Sequence, residues 1–240
     1  EYNLNGHKWV PLKAGLISPT LKKGDLLSIR CSLTPGDSFG RIFGNGKAIN
    51  LRGNILSLIF KDDINLDISR YRGVFDNTFS FSGGNNIVSV EKNFLPASTL
   101  SEFCYHALFF DCNNLVNGPE LPAAILTRHC YGSMFYGCSK LNYIKMLATD
   151  ISATSCLSNW VYGVSSTGTF VKNPAMNSLP TGNSGIPSGW TVVNDGEESE
   201  LKSFNINIFV NNIGTRTYNY EDGMTWREWI NSSYNVNNRF

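Results

Sequence analysis

The sequence predicts an α/β repeat solenoid, and three observations carry that expectation. Two consecutive stretches of 26 residues, LPASTLSEFCYHALFFDCNNLVNGPE (Leu95–Glu120) and LPAAILTRHCYGSMFYGCSKLNYIKM (Leu121–Met146), are near copies of each other. Inside each copy, two hydrophobic textures alternate, one with helical spacing and one with strand spacing. The self-similarity then fades in both directions, as it does where terminal repeats must turn a polar face outward.

The interval holds at several positions. Leu95, Leu121 and Leu147 are 26 residues apart, as are Cys104, Cys130 and Cys156, and Phe109, Phe135 and Val161. Cys112 matches Cys138, and Val164 then breaks the series. A period of this length marks a supersecondary unit that buries its apolar face only against its neighbours. In CYGSMFYGC the apolar residues Cys130, Met134, Phe135 and Cys138 fall at i, i+4, i+5 and i+8. At about 100° per residue they share one side of a short helix. LNYIKML follows with Leu141, Ile144 and Met146 spaced as in a strand, and the next Leu-Pro-Ala stops the strand at a corner in the earlier copies. Each copy therefore predicts strand, corner, short helix and return, with the strands forming a parallel sheet. Upstream, Asn86-Ile87-Val88 matches Asn114-Leu115-Val116, so Asn85–Leu100 reads as the tail of a degenerate earlier copy.

These residues carry a resemblance. The stretches LPAAILTRHCYGSMFYGCSKLNYIK, NWVYGVSSTGTFVKNP and GIPSGWTVVN are similar to BspA-like leucine-rich-repeat proteins, and GNILSLIFKDD (Gly53–Asp63) is similar to a run before the repeats in that family. The resemblance covers roughly 53–194, and departs at FDNTFSFSGGNN, where the usual cysteine of the first copy is absent. It implies a right-handed leucine-rich-repeat solenoid used for adhesion or recognition. It further implies the surfaces of gut Bacteroidetes or the tails of their phages, with no catalytic motif.

Residues 1–52 hold short alternating runs such as LLSIRCSL (Leu26–Leu33) between glycines. They predict a β-rich unit covering the open N-terminal edge of the solenoid, residues 53–194, an edge that would otherwise invite aggregation. An acidic linker occupies 195–202. In 203–240, SFNINIFV alternates at period two, NNIG is a turn and TRTYNY a return strand. In TWREW, Thr225 and Glu228 form a capping box before Trp229 and Ile230, completing a ββα module. This module resembles a C-terminal unit of phage and bacterial surface proteins.

The 20 Lys and Arg balance 19 Asp and Glu, so no global field draws the chain to nucleic acid. No apolar run reaches the roughly 18 residues of a membrane span. The chain begins at Glu1 without an initiator methionine or a signal-peptide pattern, and so reads as a piece of a longer polypeptide.

The six cysteines lack zinc-type CxxC spacing, and pairs eight residues apart on a helix lie about 12 Å apart. They are expected as buried free thiols. His106 and His129 differ in repeat phase, and a Cys130–His129 dyad is disfavoured because helical neighbours diverge by about 100°. The acidic cluster Asp62, Asp63 and Asp67 lacks the order of a calcium loop. No catalytic residue, metal site or cofactor is expected.

Function is thus expected to be non-enzymatic recognition, through a solenoid face displayed to a glycan or protein of a host-cell or bacterial surface. Asn117, Glu120, Asn142, Tyr143 and Lys145 are the candidate contacts on the strand face, and Trp160 is an aromatic candidate for stacking on a sugar or protein. The setting would be extracellular, on a bacterial surface or a virion tail. The alternative is a structural part of a tail or fibre, contacting other subunits. A glycan-active enzyme ranks third.

Overall fold

The computed structural model describes residues 1–11, 22–40, 46–61, 63, 65–80 and 86–197, and the backbone at 206–209 and 215–218. It divides into two compact units, Glu1–Val193 and Asn194–Phe240.

The first unit is a parallel β-solenoid of about three turns. One face is a four-stranded sheet of β5 (Asn117–Leu121), β6 (Tyr143–Met146), β7 (Thr169–Lys172) and β8 (Thr191–Asn194), in that order. β5 and β6 are parallel, as are β6 and β7. Ahead of them, β3 (Ala48–Leu51) pairs in parallel with β4 (Asn86–Val90). Parallel stacking therefore begins before residue 53. The amide of Glu120 bonds to the carbonyl of Lys92, linking β4's exit to β5. Asn114 donates through Nδ2 to Asn86 Oδ1 at 2.9 Å, joining the two positions matched in sequence.

The layer opposite the sheet corrects one expectation. The only helix among the described residues is α1 (Ser57–Phe60), and the segments read as short helices are chains of turns. Positive φ recurs every fourth residue: Phe103, Ala107 and Asp111; then His129, Ser133 and Gly137; then Ser155, Asn159 and Gly163. Between these positions the amides alternate in role. Those of Phe103, Tyr105, Ala107, Phe109 and Asp111 donate to carbonyls of the next coil, from Arg128 to Tyr136. Those of His106, Leu108, Phe110 and Cys112 close local turns three residues back. The coil at 129–138 repeats the arrangement against 154–162. A helix would spend every amide on its own chain four residues back. Here half of them tie each coil to its neighbour.

The sequence pattern allowed both outcomes. Apolar residues at i, i+4, i+5 and i+8 share one side of the chain at 90° per residue as well as at 100°. Burial follows the period of four: Cys104, Tyr105, Leu108, Phe109 and Cys112 are all buried. So are Cys130, Tyr131, Met134, Phe135 and Cys138. Their rings stack from coil to coil. Phe75, Tyr105 and Tyr131 form one column at 5.9 and 6.2 Å, and Phe79, Phe109 and Phe135 another at 6.0 and 5.8 Å.

All six cysteines are free, and all but Cys31 are buried. Their recurrence has a backbone cause. Cys112 Sγ donates to the Phe79 carbonyl at 3.2 Å, and Cys138 Sγ to the Phe109 carbonyl at 3.1 Å. A thiol in this column is small enough for the core and satisfies a carbonyl of the coil before it.

The N-terminal residues lie on the first coils of the same unit. β1 (Tyr2–Leu4) and β2 (Leu27–Ile29) are antiparallel. Beyond them the amides of Cys31, Leu33 and Phe39 bond to Ser57, Ile59 and Val74. In the second unit, β9 (Ile206–Phe209) and β10 (Thr215–Tyr218) pair antiparallel. The NNIG turn and the capping-box helix lie outside the described residues, as does Asp62 of the acidic cluster.

Candidate functional site

The strand face brings most of the expected contact residues together. Parallel pairing sets Asn117 beside Tyr143 and Tyr143 beside Thr169, one outer row across three strands. Asn117 and Asn142 are exposed and Tyr143 is half-buried. Tyr143 owes its place to the strand it opens, whose remaining residues Ile144, Lys145 and Met146 are buried.

The second row is electrostatic. Glu120 and Lys145 are register partners, with Lys145 Nζ 3.7 Å from Glu120 Oε1. Lys92 of the coil before approaches Glu120 Oε2 at 3.5 Å. Glu120 is thus held between two ammonium groups. Lys145 is 7% exposed, so its expected role as an open contact is corrected. It is a buried cation paired with the Glu120 carboxylate, which is itself only partly exposed. Above the rows, Lys140 Nζ donates to Asn114 Oδ1 at 2.6 Å, extending the asparagine line at the strand entrances.

Trp160 does not belong to this surface. It is fully buried, its Nε1 donates to the Gly185 carbonyl at 2.8 Å, and its ring packs 6.1 Å from Phe135. The expectation that it might stack on a ligand is overturned. The 26-residue phase held the signal that was missed: it places Trp160 in register with Leu108 and Met134, both inward-facing and apolar.

Other constellations are built differently from a reacting site. Burial pushes the Cys130 thiol up to about 12, so it has almost no thiolate at neutral pH. The neighbouring His129 ring turns outward and stacks on Phe103 at 4.6 Å. Partial burial, then the charges of Arg128 and His106, hold its imidazole below its usual value. His106 Nδ1 lies 2.9 Å from Asp76 Oδ1. Among the described residues, no group of three or more His, Cys, Asp or Glu side chains is arranged to hold a metal ion. No described helix is long and apolar enough to cross a membrane.

One outer aromatic column also runs along the turn layer. Phe110, Tyr136 and Tyr162 stack face to face at 4.8 and 4.7 Å. Their inner ring faces cover one another, so the column offers mainly ring edges and suits holding coils in register more than stacking on a sugar.

The strand face is therefore a flat row of amide, phenol and carboxylate groups on a hydrogen-bonded sheet. Such a surface can bind hydroxyl-rich or amide-rich ligands by several directional hydrogen bonds. No family model, curated protein or solved structure matches this chain.

Proposed function

We propose that this chain is a non-enzymatic recognition protein whose strand face binds a glycan or protein on a host-cell or bacterial surface. The in-register outer row of Asn117, Tyr143 and Thr169, backed by the Lys92–Glu120–Lys145 group, carries the reading. A parallel sheet fixes the spacing of these side chains before any ligand arrives, which reduces the ordering cost of binding. The resemblance to BspA-like leucine-rich-repeat proteins supports an adhesin, or a receptor-binding part of a phage tail, working outside the cell.

Fluorescently labelled chain, applied to a panel of intact gut bacteria before and after removal of their surface glycans, tests the proposal. Binding that is lost on stripping supports a glycan-directed adhesin, and binding that survives stripping supports a protein ligand. In either case Asn117→Ala combined with Tyr143→Ala should weaken it at least about tenfold, the loss of a few hydrogen bonds and one aromatic contact. Full binding by that folded variant would remove the strand face from the account. Absence of binding to every strain would move the weight to a structural part of a tail or fibre.

A further inference from the structure

The outer row of the strand face runs further than three strands. Thr169 donates its amide to the Asn142 carbonyl and is the register partner of Tyr143. Thr191 donates in the same way to the Gly168 carbonyl, which sets it beside Thr169. Asn117, Tyr143, Thr169 and Thr191 therefore form one line across all four strands of the sheet. Asn117 and Thr191 are exposed, and Tyr143 and Thr169 are half-buried. Among the described residues, no hydrogen bond engages the side chains of Asn117, Thr169 and Thr191. An added Cβ on Gly168 would collide with the Asn142 carbonyl, so the approach of β7 to β6 depends on that glycine.

Spacing and charge specify what can lie along this line. Neighbouring strands are about 4.8 Å apart, so the line spans roughly 14 Å. An extended β-1,4-linked pyranose chain repeats at close to that spacing, one sugar for each strand, whereas an α-1,4-linked chain coils away from a straight row. The line offers an amide, a phenol and two hydroxyls, groups that both donate and accept hydrogen bonds as sugar hydroxyls do. The charged side chains on the four strands are Glu120, Lys145 and Lys172. Glu120 lies between Lys92 and Lys145, and Lys172 Nζ donates to the Met176 carbonyl at 3.0 Å. Each of these charges is met within the protein, so the row is matched to an uncharged ligand rather than to a carboxylate or sulfate.

We propose that the strand face takes an extended, uncharged β-1,4-linked glycan of about four sugars, laid across the strands from Asn117 to Thr191. This rests on the reading of that face as the recognition surface, and narrows its ligand from a glycan or protein to one chain geometry. Backbone pairing holds the row in place beforehand, so the ordering cost of binding falls mainly on the glycan.

The probes are the β-1,4-linked tetrasaccharides of glucose, mannose, xylose and N-acetylglucosamine, with maltotetraose and tetragalacturonate as neutral and acidic α-linked comparators. Each is titrated into the full chain by isothermal calorimetry, while the amides that shift are followed by NMR. At least one β-linked tetrasaccharide should bind about tenfold or more tighter than its own disaccharide, and shift Asn117, Tyr143, Thr169 and Thr191 together. Thr191→Ala should bring that tetrasaccharide to within about twofold of its trisaccharide, while thermal unfolding stays near the parent's. Absence of binding by all four β-linked probes, equal affinity for disaccharide and tetrasaccharide, or tighter binding of either comparator overturns the proposal. The recognition reading is judged separately, on cells. If the variant carrying both Asn117→Ala and Tyr143→Ala still loses cell binding, the strand face stands without this ligand. If that variant binds cells fully, the face itself is removed.

Discussion

Replacing Ser133 by glycine should stabilise the protein, an outcome opposite to that expected for a helix. Ser133 holds φ at 53° and is half-buried, with its amide bonded to the Ser158 carbonyl at 2.8 Å. A side chain in the left-handed region costs about 1–2 kcal/mol. Glycine removes that cost and gives back about 0.5–1 kcal/mol through the greater freedom of the unfolded chain. The difference is a gain of up to about 1.5 kcal/mol. Were the segment helical, the same substitution would lose about 0.5–1 kcal/mol. The matched control is Ser158→Gly: its φ is not positive, so the change should cost roughly 0.5–1 kcal/mol. Urea unfolding followed by circular dichroism reads both, with an unchanged denaturant slope confirming that native and unfolded states are comparable. A loss of about 0.5 kcal/mol or more for Ser133→Gly, at the parent slope, would refute the turn-layer geometry.

Four further outcomes follow from the packing. Phe135→Ala should cost about 3–5 kcal/mol and Leu121→Ala about 2–5, because both side chains are fully buried; a loss well under 1 kcal/mol in denaturant titration would place them outside the core. Gly137→Ala should destabilise by about 1–3 kcal/mol, since φ is 75° and a new Cβ collides with the Asp111 carboxylate; a second change, Asp111→Ala, should recover part of the loss. Tyr105→Phe should be neutral or gain about 1 kcal/mol, because its buried hydroxyl has no partner among the described residues; a loss above 1 kcal/mol would reveal a bond to that hydroxyl. Burial raises the thiols of Cys112 and Cys130 to about 12. The folded state therefore keeps protons that the unfolded state releases above about pH 9. This contribution is fully present below that pH and should fall between about pH 9 and 12, by roughly 1.4 kcal/mol per pH unit for each thiol. Cys112→Ala and Cys130→Ala together should flatten that part of the profile.

The solenoid was legible because its cause is repetition, and repetition is visible without coordinates. The phase of Leu121, Cys130 and Phe135 identified core positions directly. The helical reading failed because an inward face of period four and one of period 3.6 cannot be separated over nine residues. What could separate them was residue chemistry at every fourth position. Gly73, Asn77, Asp111, Gly137, Asn159 and Gly163, the residue types most tolerant of positive φ, occupy such positions. Phe103, Ala107, His129, Ser133 and Ser155 occupy the others and mask the pattern.

On the strand face, Asn117 and Tyr143 are register partners, and Asn142 precedes β6 and is exposed. Lys145 was misread, because β6 buries three residues in succession and the pairing with Glu120 is a contact between coils. Trp160 was misplaced by weighing its type above its phase.

The central claim is that alternate amides of the turn layer bond to the next coil. Scalar coupling across hydrogen bonds, measured by NMR between the Phe109 amide nitrogen and carbonyl carbons, tests it most directly. The account predicts coupling to the Met134 carbonyl, 25 residues away, from a bond of 3.0 Å. Coupling to the Tyr105 carbonyl, four residues back as in a helix, would contradict it.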